Sequence, residues 1–403
     1  MQTKPNNRLA QCLPITFNSK IKLSWLSRLK FNLKARMQEN GRILFRDLKD
    51  PAKVFLVGSG NRIHQNFLPA LHRINQPIEI TGIYSRTFQH ARELADGWGI
   101  DAQQKLESPA LENADIIIIS ITAQSVPEVL KRIQNFTDTS NKILIVDTPV
   151  FAGLKTVFSS YILRRFANVI VTEDYMNFPQ FKHIRDIIEK GGLGQIKTIQ
   201  LNHIGYRYHG LALARSLLGF PLIKSVSYQG DEIHYDTGTG CEIIVNEPYQ
   251  KLNGYLYVKG EKGTLLYCPK KYLDSMLLAS EGAVDYLLTE QYENDVFTGF
   301  KLMTPTGSNH FSADLFNRIQ SLVFFAKDDF NTFKTMGLIE VISSAFSYNI
   351  NSRYGFVNGL YDNYVSNLAY GRRTFGLPVL KIPYYAVKVL SVLNALRGSG
   401  SLS

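Results

Sequence analysis

What is missing narrows this 403-residue chain first. It has no run of roughly 18 uncharged apolar residues, so no membrane-spanning helix is expected. Its longest apolar stretches, such as Ile116–Ile119, are strand-sized. Cysteine is scarce: Cys12, Cys241 and Cys268 form no CxxC and no pairing pattern, which argues against a disulfide scaffold and fits a reducing compartment. Acidic residues are absent before Glu39. Residues 1–50 hold eleven Lys/Arg against three Asp/Glu, so +8 of the formal +11 lies there and only +3 on the rest. The basicity belongs to an appendage, and no nucleic-acid role follows for the main body. Repeats and low-complexity tracts are missing too.

Within the basic segment, Lys20, Lys22, Arg28, Lys30, Lys34 and Arg36 alternate with Leu23, Trp25, Leu26, Leu29, Phe31 and Leu33. Three readings suit this composition: a solubilising surface extension, an arm lying on an anionic membrane, or an organelle transit peptide. A secretory signal is not expected, because no unbroken apolar core follows the early charges. The expected location is cytoplasmic, with organelle targeting and peripheral membrane contact as the alternatives.

The body alternates strand and helix patterns. Lys53-Val-Phe-Leu-Val-Gly58 is a short apolar run closed by glycine, the form of a buried parallel strand. A helical pattern follows through Ile63, Phe67, Leu68 and Leu71. Strands are then expected at Ile78–Tyr84, Asp115–Ile121, Lys142–Val146 and Ala167–Thr172, and helices at Thr87–Trp98, Val126–Ile133 and Leu154–Phe166. Strict alternation with short links predicts a doubly wound parallel sheet. After about residue 173 the texture changes. A helix over Phe178–Lys190 stops at Gly191-Gly192, and alternating β-branched and aromatic runs follow at Lys197–His203, Lys224–Tyr228, Glu242–Asn246, Leu252–Val258 and Gly263–Cys268. These predict an open, mostly antiparallel sheet with one helix-covered face. Helices are expected at Phe311–Phe325, Phe333–Tyr348 and Tyr384–Leu396. The fold class is therefore two-domain α/β: a Rossmann domain over 51–172 and an α+β domain over 173–350. They are flanked by the basic extension 1–50 and a helical tail 351–403.

Gly58-Ser59-Gly60 closes the first strand. Glycine permits a positive φ at the turn, and the second glycine lets backbone N–H groups approach a pyrophosphate at the helix N-terminus. Ile63 stands where a GxGxxG motif has its third glycine. At the end of the second strand an acid would bond the ribose 2′-hydroxyl of NAD. Here the run is Ile83-Tyr84-Ser85-Arg86-Thr87, an arginine between hydroxyls, which suits a 2′-phosphate and favours NADP over NAD.

The order of these motifs resembles the Gfo/Idh/MocA family of oxidoreductases. The likeness runs through Gly58-Ser-Gly-Asn, Leu68-Pro-Ala-Leu71, Ile83–Thr87, Ala114–Ile119, Asp147-Thr148-Pro149 and Lys190–Ile196, then His209–Gly219 and Val258–Leu265, covering residues 53 to about 350. It implies a Rossmann domain that binds NAD(P) and a second domain whose open sheet carries a small-molecule substrate site and often an oligomer interface, here a homo-oligomer. Expected cofactor contacts are Gly58, Ser59, Gly60, Asn61, Arg62, Ile63, Ser85, Arg86, Thr87, Ile121, Thr122 and Pro149, and no metal is expected.

Departures from the family pattern bear on the chemistry. The family commonly has Glu-Lys-Pro where this chain has Asp147-Thr148-Pro149, so Thr148 stands in place of a lysine. A threonine hydroxyl donates a hydrogen bond but brings no cation and is a poor acid at neutral pH. Gly205 stands where an aspartate is common, four residues before the family's histidine. That histidine, the family's proton carrier, is matched by His209, whose alternative reading is a structural helix-start residue. Tyr175, Tyr206 and Tyr208 are the reserve proton donors. Branches lacking the lysine, such as biliverdin and thiazolinyl-imine reductases, reduce conjugated or C=N systems. The expectation is accordingly an NADP-dependent reductase, with a dinucleotide-binding sensor or accessory subunit without turnover as the alternative.

Overall fold

The computed structural model describes residues 51–150, 162–163, 165–205, 207–247, 254–269, 284–320, 329–346, 354–374 and 380–381. The basic extension, Tyr206, most of the helix expected over 154–166 and the helix expected at 384–396 lie outside them.

The chain opens with strand β1 (Ala52–Val57), a widened π-helical turn at Ile63–Phe67 and helix α1 (Leu68–Arg73). Then follow β2 (Ile78–Tyr84), α2 (Phe88–Trp98), β3 (Ala102–Gln103), α3 (Pro109–Glu112), β4 (Ile116–Ile119), α4 (Val126–Phe136), β5 (Ile143–Asp147) and β6 (Asn168–Thr172). The six strands form one parallel sheet in the order β3-β2-β1-β4-β5-β6. Every residue of β4 and of β6 is buried, as expected of strands covered on both faces. The strand order reverses between β1 and β4, where a doubly wound sheet opens its binding crevice.

A 3-10 turn (Tyr175–Asn177) leads into α5 (Pro179–Glu189), β7 (Ile196–Asn202) and α6 (Tyr208–Leu217). The second sheet adds β8 (Ser225–Gln229), β9 (Glu232–Asp236), β10 (Glu242–Asn246), β11 (Tyr255–Gly260), β12 (Thr264–Cys268), β13 (Tyr286–Glu293), β14 (Val296–Thr304) and β15 (Gly307–Ser312). Helices α7 (Asp314–Gln320), α8 (Asp329–Ser343) and α9 (Phe356–Thr374) follow, then β16 (Leu380–Lys381). The order is β15-β14-β13-β12-β11-β7-β10-β9-β8-β16, parallel at β7/β10 and β12/β13 and antiparallel elsewhere. Strict alternation in β9 and β10 sends Ile233, Tyr235, Ile243 and Val245 into the core beneath α6.

Strands β3, β9, β13 and β14 and helix α3 add to the expected elements, and two of the expected elements differ. Phe311 lies in β15, opposite Phe300 of β14, and the helix starts only at Asp314. Aromatic residues at near-helical spacing here fill a cross-strand pair, a packing that one-dimensional periodicity cannot distinguish. The helix expected from Phe333 begins one turn earlier, at Asp329.

Helix α8 follows the second sheet in sequence but packs on the first. Leu338, Val341 and Ile342 share a core with Ile63, Phe67 and Leu71. The buried Asn66 amide donates to the Asn331 carbonyl and the Thr335 hydroxyl, both at 3.1 Å. This brings α8 beside the carboxyl ends of the parallel strands.

Candidate active site

At the end of β1, Gly58 adopts φ +122°, and a Cβ there would lie 2.2 Å from the Ser120 carbonyl oxygen. Only glycine fits between two strands this close. Gly60 is different: a Cβ there would meet nothing, so this side of the turn is open. Ser59, Gly60 and Asn61 are at least partly exposed there. Ile63 is not brought to the opening. Its side chain is wholly buried and its N–H bonds the Gly60 carbonyl at 3.0 Å, so the missing third glycine is filled by core. Ser85, Arg86 and Thr87 follow β2. Arg86 is exposed with no ion pair among the described residues, and the Thr87 side chain does not cap α2. Ile121 and Thr122 follow β4; Ile121 packs beside Gly58, and Thr122 shares a hydrogen bond with Ser125 at 3.1 Å. Thr148 and Pro149, joined by a cis peptide, follow β5. An open glycine turn, a helix N-terminus and an uncommitted arginine fit a dinucleotide with phosphate at both points.

The reacting end is built from a segment that no motif marked. Directly after β6 come Glu173 and Asp174, both wholly buried. Glu173 receives the Nδ1–H of His209 on both oxygens, at 2.9 and 2.8 Å. The His209 side chain keeps 17% of its surface exposed while Glu173 has none. A carboxylate accepts only, so Nδ1 carries the proton and Nε2 is left as the exchanging nitrogen. Tyr175 stacks on the imidazole at 5.1 Å between centroids, and Tyr208 lies at 4.2 Å.

Gly205 has its own explanation. Its φ is +77°, and a Cβ would come within 2.5 Å of the Gly210 Cα, because α6 begins hard against it. No aspartate fits there. The carboxylate for His209 comes instead from 36 residues earlier in the chain.

Arg62, expected among the cofactor contacts, reaches away from the glycine turn. It pairs with Asp174 at 2.7 Å and Asp147 at 3.4 Å. Burial opposes its charge, but the two carboxylates outweigh that and raise its pKa further. Burial would likewise raise Asp174, yet Arg62, with Lys334 and His209, holds that carboxyl below its ordinary range. Asp147 also accepts from Ser120 at 2.8 Å and Thr172 at 2.6 Å. Thr148 bonds the Thr172 carbonyl at 3.4 Å and shares a hydrogen bond with the Tyr208 hydroxyl. Burial, and then Glu173, push the Tyr208 phenol well above its ordinary value, which makes it a weak acid. Tyr206, the remaining candidate donor, lies outside the described residues.

Glu173, Asp174 and His209 offer ligand atoms within 4.8 Å of one another. Asp174 pairs with the Arg62 guanidinium and Glu173 accepts from the His209 imidazole. Sequence reasoning found His209, Tyr175, Tyr208 and Thr148, which the fold brings together. It missed Glu173 and Asp174, whose only sequence signal was two adjacent acids closing an otherwise apolar strand, and Lys334, which carried none.

No helix among the described residues is long and apolar enough to cross a membrane. The family described as NADP oxidoreductase coenzyme F420-dependent matches residues 53–150. A search of curated proteins found no match. Among solved structures, a putative myo-inositol dehydrogenase from Sinorhizobium meliloti aligns over 82% of this chain and 99% of its own, at 14% identity and TM-score 0.58. KijD10, a 3-ketoreductase from Actinomadura kijaniata in complex with NADP, covers 80% and 97% at 13% identity and TM-score 0.51. The transcriptional regulator Gal80p from Kluyveromyces lactis covers 85% and 97% at 12% identity and TM-score 0.56. The chain has the two-domain fold of NAD(P)-binding oxidoreductases, and its resemblance to the Gfo/Idh/MocA family extends over both domains.

Proposed function

We propose that this protein is an NADP-dependent reductase of a small organic substrate. The observation that carries the reading is the wholly buried Glu173 bound to His209 Nδ1, which leaves Nε2 for proton transfer beside the crevice of the parallel sheet. When bound, a reduced nicotinamide supplies hydride. The chain's own residues do the rest. Glu173 holds the imidazole with Nδ1 protonated, and His209, when Nε2 also carries a proton, gives that proton and returns to this tautomer. Tyr175 keeps the ring flat against its own. Arg86, Ser85 and Thr87 hold the 2′-phosphate.

Loss of NADPH fluorescence in the presence of carbonyl compounds, imines and linear tetrapyrroles tests this directly. At least one class should be reduced, and His209→Ala should lower kcat by about 10²-fold, the scale of a positioned proton donor, with NADPH affinity unchanged. A second reading is a regulator that binds the dinucleotide without turnover. It is favoured by the hydroxyl at position 148 and by the fold shared with Gal80p. NADPH binding with no oxidation by any class would select it.

A further inference from the structure

Lys334 was not singled out by any motif, yet α8 carries it into the cluster just described. Gly337 lets that helix touch the turn after β6: a Cβ there would lie 2.6 Å from the Asp174 carbonyl oxygen and 3.1 Å from its Cβ. One helical turn earlier, on the same face, stands Lys334. Its ammonium lies 5.4 Å from the Phe330 ring centroid. Phe330 in turn packs edge-on against Tyr175 at 5.8 Å, and Tyr175 stacks on His209. Asp174, Arg62, Asp147 and Glu173 all act on the charge of Lys334.

Two of those carboxylates pair with Arg62 and the third with His209, although neither oxygen of the buried Asp174 carries a hydrogen bond. Among the described residues the Lys334 ammonium has no hydrogen bond or ion pair within contact distance. A half-buried ammonium keeps three donors that need acceptors. Here no acceptor among the described residues lies within hydrogen-bonding distance of it.

We propose that Lys334 is the substrate-binding cation of the site, and that the bound substrate presents a carbonyl oxygen to its Nζ. This rests on the reductase reading and deepens it. The carbonyl carbon receives hydride with its two electrons from the reduced nicotinamide dinucleotide, and the C=O π pair moves onto oxygen. Lys334 hydrogen-bonds that oxygen as its charge grows, and His209 Nε2 delivers the proton that completes the alcohol. Burial lowers the ammonium pKa and Arg62 adds to the fall, while Asp174, Asp147 and Glu173 oppose it. The result is a stronger hydrogen-bond donor than an ordinary lysine.

Sulfite tests the cation without turnover, because it adds to C4 of an oxidised nicotinamide and gives a near-ultraviolet absorbance. The full chain saturated with NADP⁺ is titrated with sulfite, alongside Lys334→Met and Lys334→Arg, with NADP⁺ affinity and melting measured for each. The expected result is saturable adduct formation in the wild type and a loss of about tenfold or more in sulfite affinity for Lys334→Met. Lys334→Arg should recover most of it, with NADP⁺ affinity equal throughout. Above the pH at which bisulfite has become the sulfite dianion, wild-type affinity should also fall as pH rises towards the ordinary lysine pKa of about 10.4. That measurement decides the matter if Lys334→Met does not fold. Equal sulfite affinity in wild type and Lys334→Met, or no fall in wild-type affinity across the alkaline range where sulfite is already the dianion, overturns the proposal and leaves the dinucleotide reading standing. Failure of the wild type to bind NADP⁺ at all overturns both.

Discussion

At the scale of single residues, the site keeps the chemistry of a proton relay while changing where its parts come from. Gly205 cannot carry a carboxylate because α6 leaves no room for one, and Glu173 supplies it from the end of a buried strand. Replacing Glu173 with leucine removes the acceptor that selects the Nδ1–H tautomer. Nitrogen-15 spectra of His209 should then show both neutral tautomers instead of one, and an unchanged spectrum would remove Glu173 from its positioning role. Arg86 is a separate test. With no ion pair among the described residues, its truncation to alanine should weaken NADPH binding by about tenfold while leaving NADH untouched, the worth of one charge-assisted phosphate contact. Equal losses for the two cofactors would sink the assignment of the 2′-phosphate to Arg86.

At the scale of elements, a second buried carboxyl lies away from the site. Glu290 on β13 accepts from Tyr267 at 2.8 Å, and the single proton of the Tyr292 hydroxyl lies between Glu290 at 3.1 Å and Asp329, at the start of α8, at 3.0 Å. Burial, assisted by Asp329 and opposed by the two phenols, pushes Glu290 up to about 7. The folded chain therefore holds a proton there that the unfolded chain releases above pH 4.5 or so. The stability this contributes is complete below the unfolded value and is lost as pH rises through about 7. Glu290→Gln should flatten the fall in melting temperature between pH 5 and pH 8, in a window worth up to about 3 kcal/mol. A variant whose melting falls as steeply as wild type would show that the carboxyl ionises without hindrance.

At the scale of the molecule, the two sheets are joined by helices that come late in the chain. Helix α8 packs on the parallel sheet, and α9 runs beside α6 and touches β6, where Gly355 bridges Ile170. The tie between α6 and α9 is wholly buried. Arg215 pairs with Asp362 and bonds Asn358 at 3.2 Å, the Pro221 carbonyl at 2.7 Å and the Phe220 carbonyl at 3.2 Å. Asp362→Asn would strand a buried guanidinium. The expected loss is about 3–5 kcal/mol in denaturant unfolding, because removing one partner of a buried pair leaves the other desolvated. A loss near zero would mean that the carbonyls alone satisfy Arg215.

The parallel sheet was legible in the sequence because its strands are buried on both faces, and unbroken aliphatic runs such as Ile116–Ile119 have few other stable homes. The glycine turn, the Ser85-Arg86-Thr87 strand end, Thr148 and His209 were legible for a related reason: each is a local departure from a repeating βα pattern. The second sheet was legible only in part. Its edge hairpin β14–β15 uses aromatic spacing that suits helix and strand equally, and cross-strand pairing decides between them. Arg62 carried no sign that it would turn from the glycine loop to Asp174, since that partner lies more than a hundred residues away. Glu173, Asp174 and Lys334 could be placed only by tertiary structure. A buried charge takes its meaning from the groups around it, and here these arrive from the turns after β1 and β6 and from α6 and α8 at once.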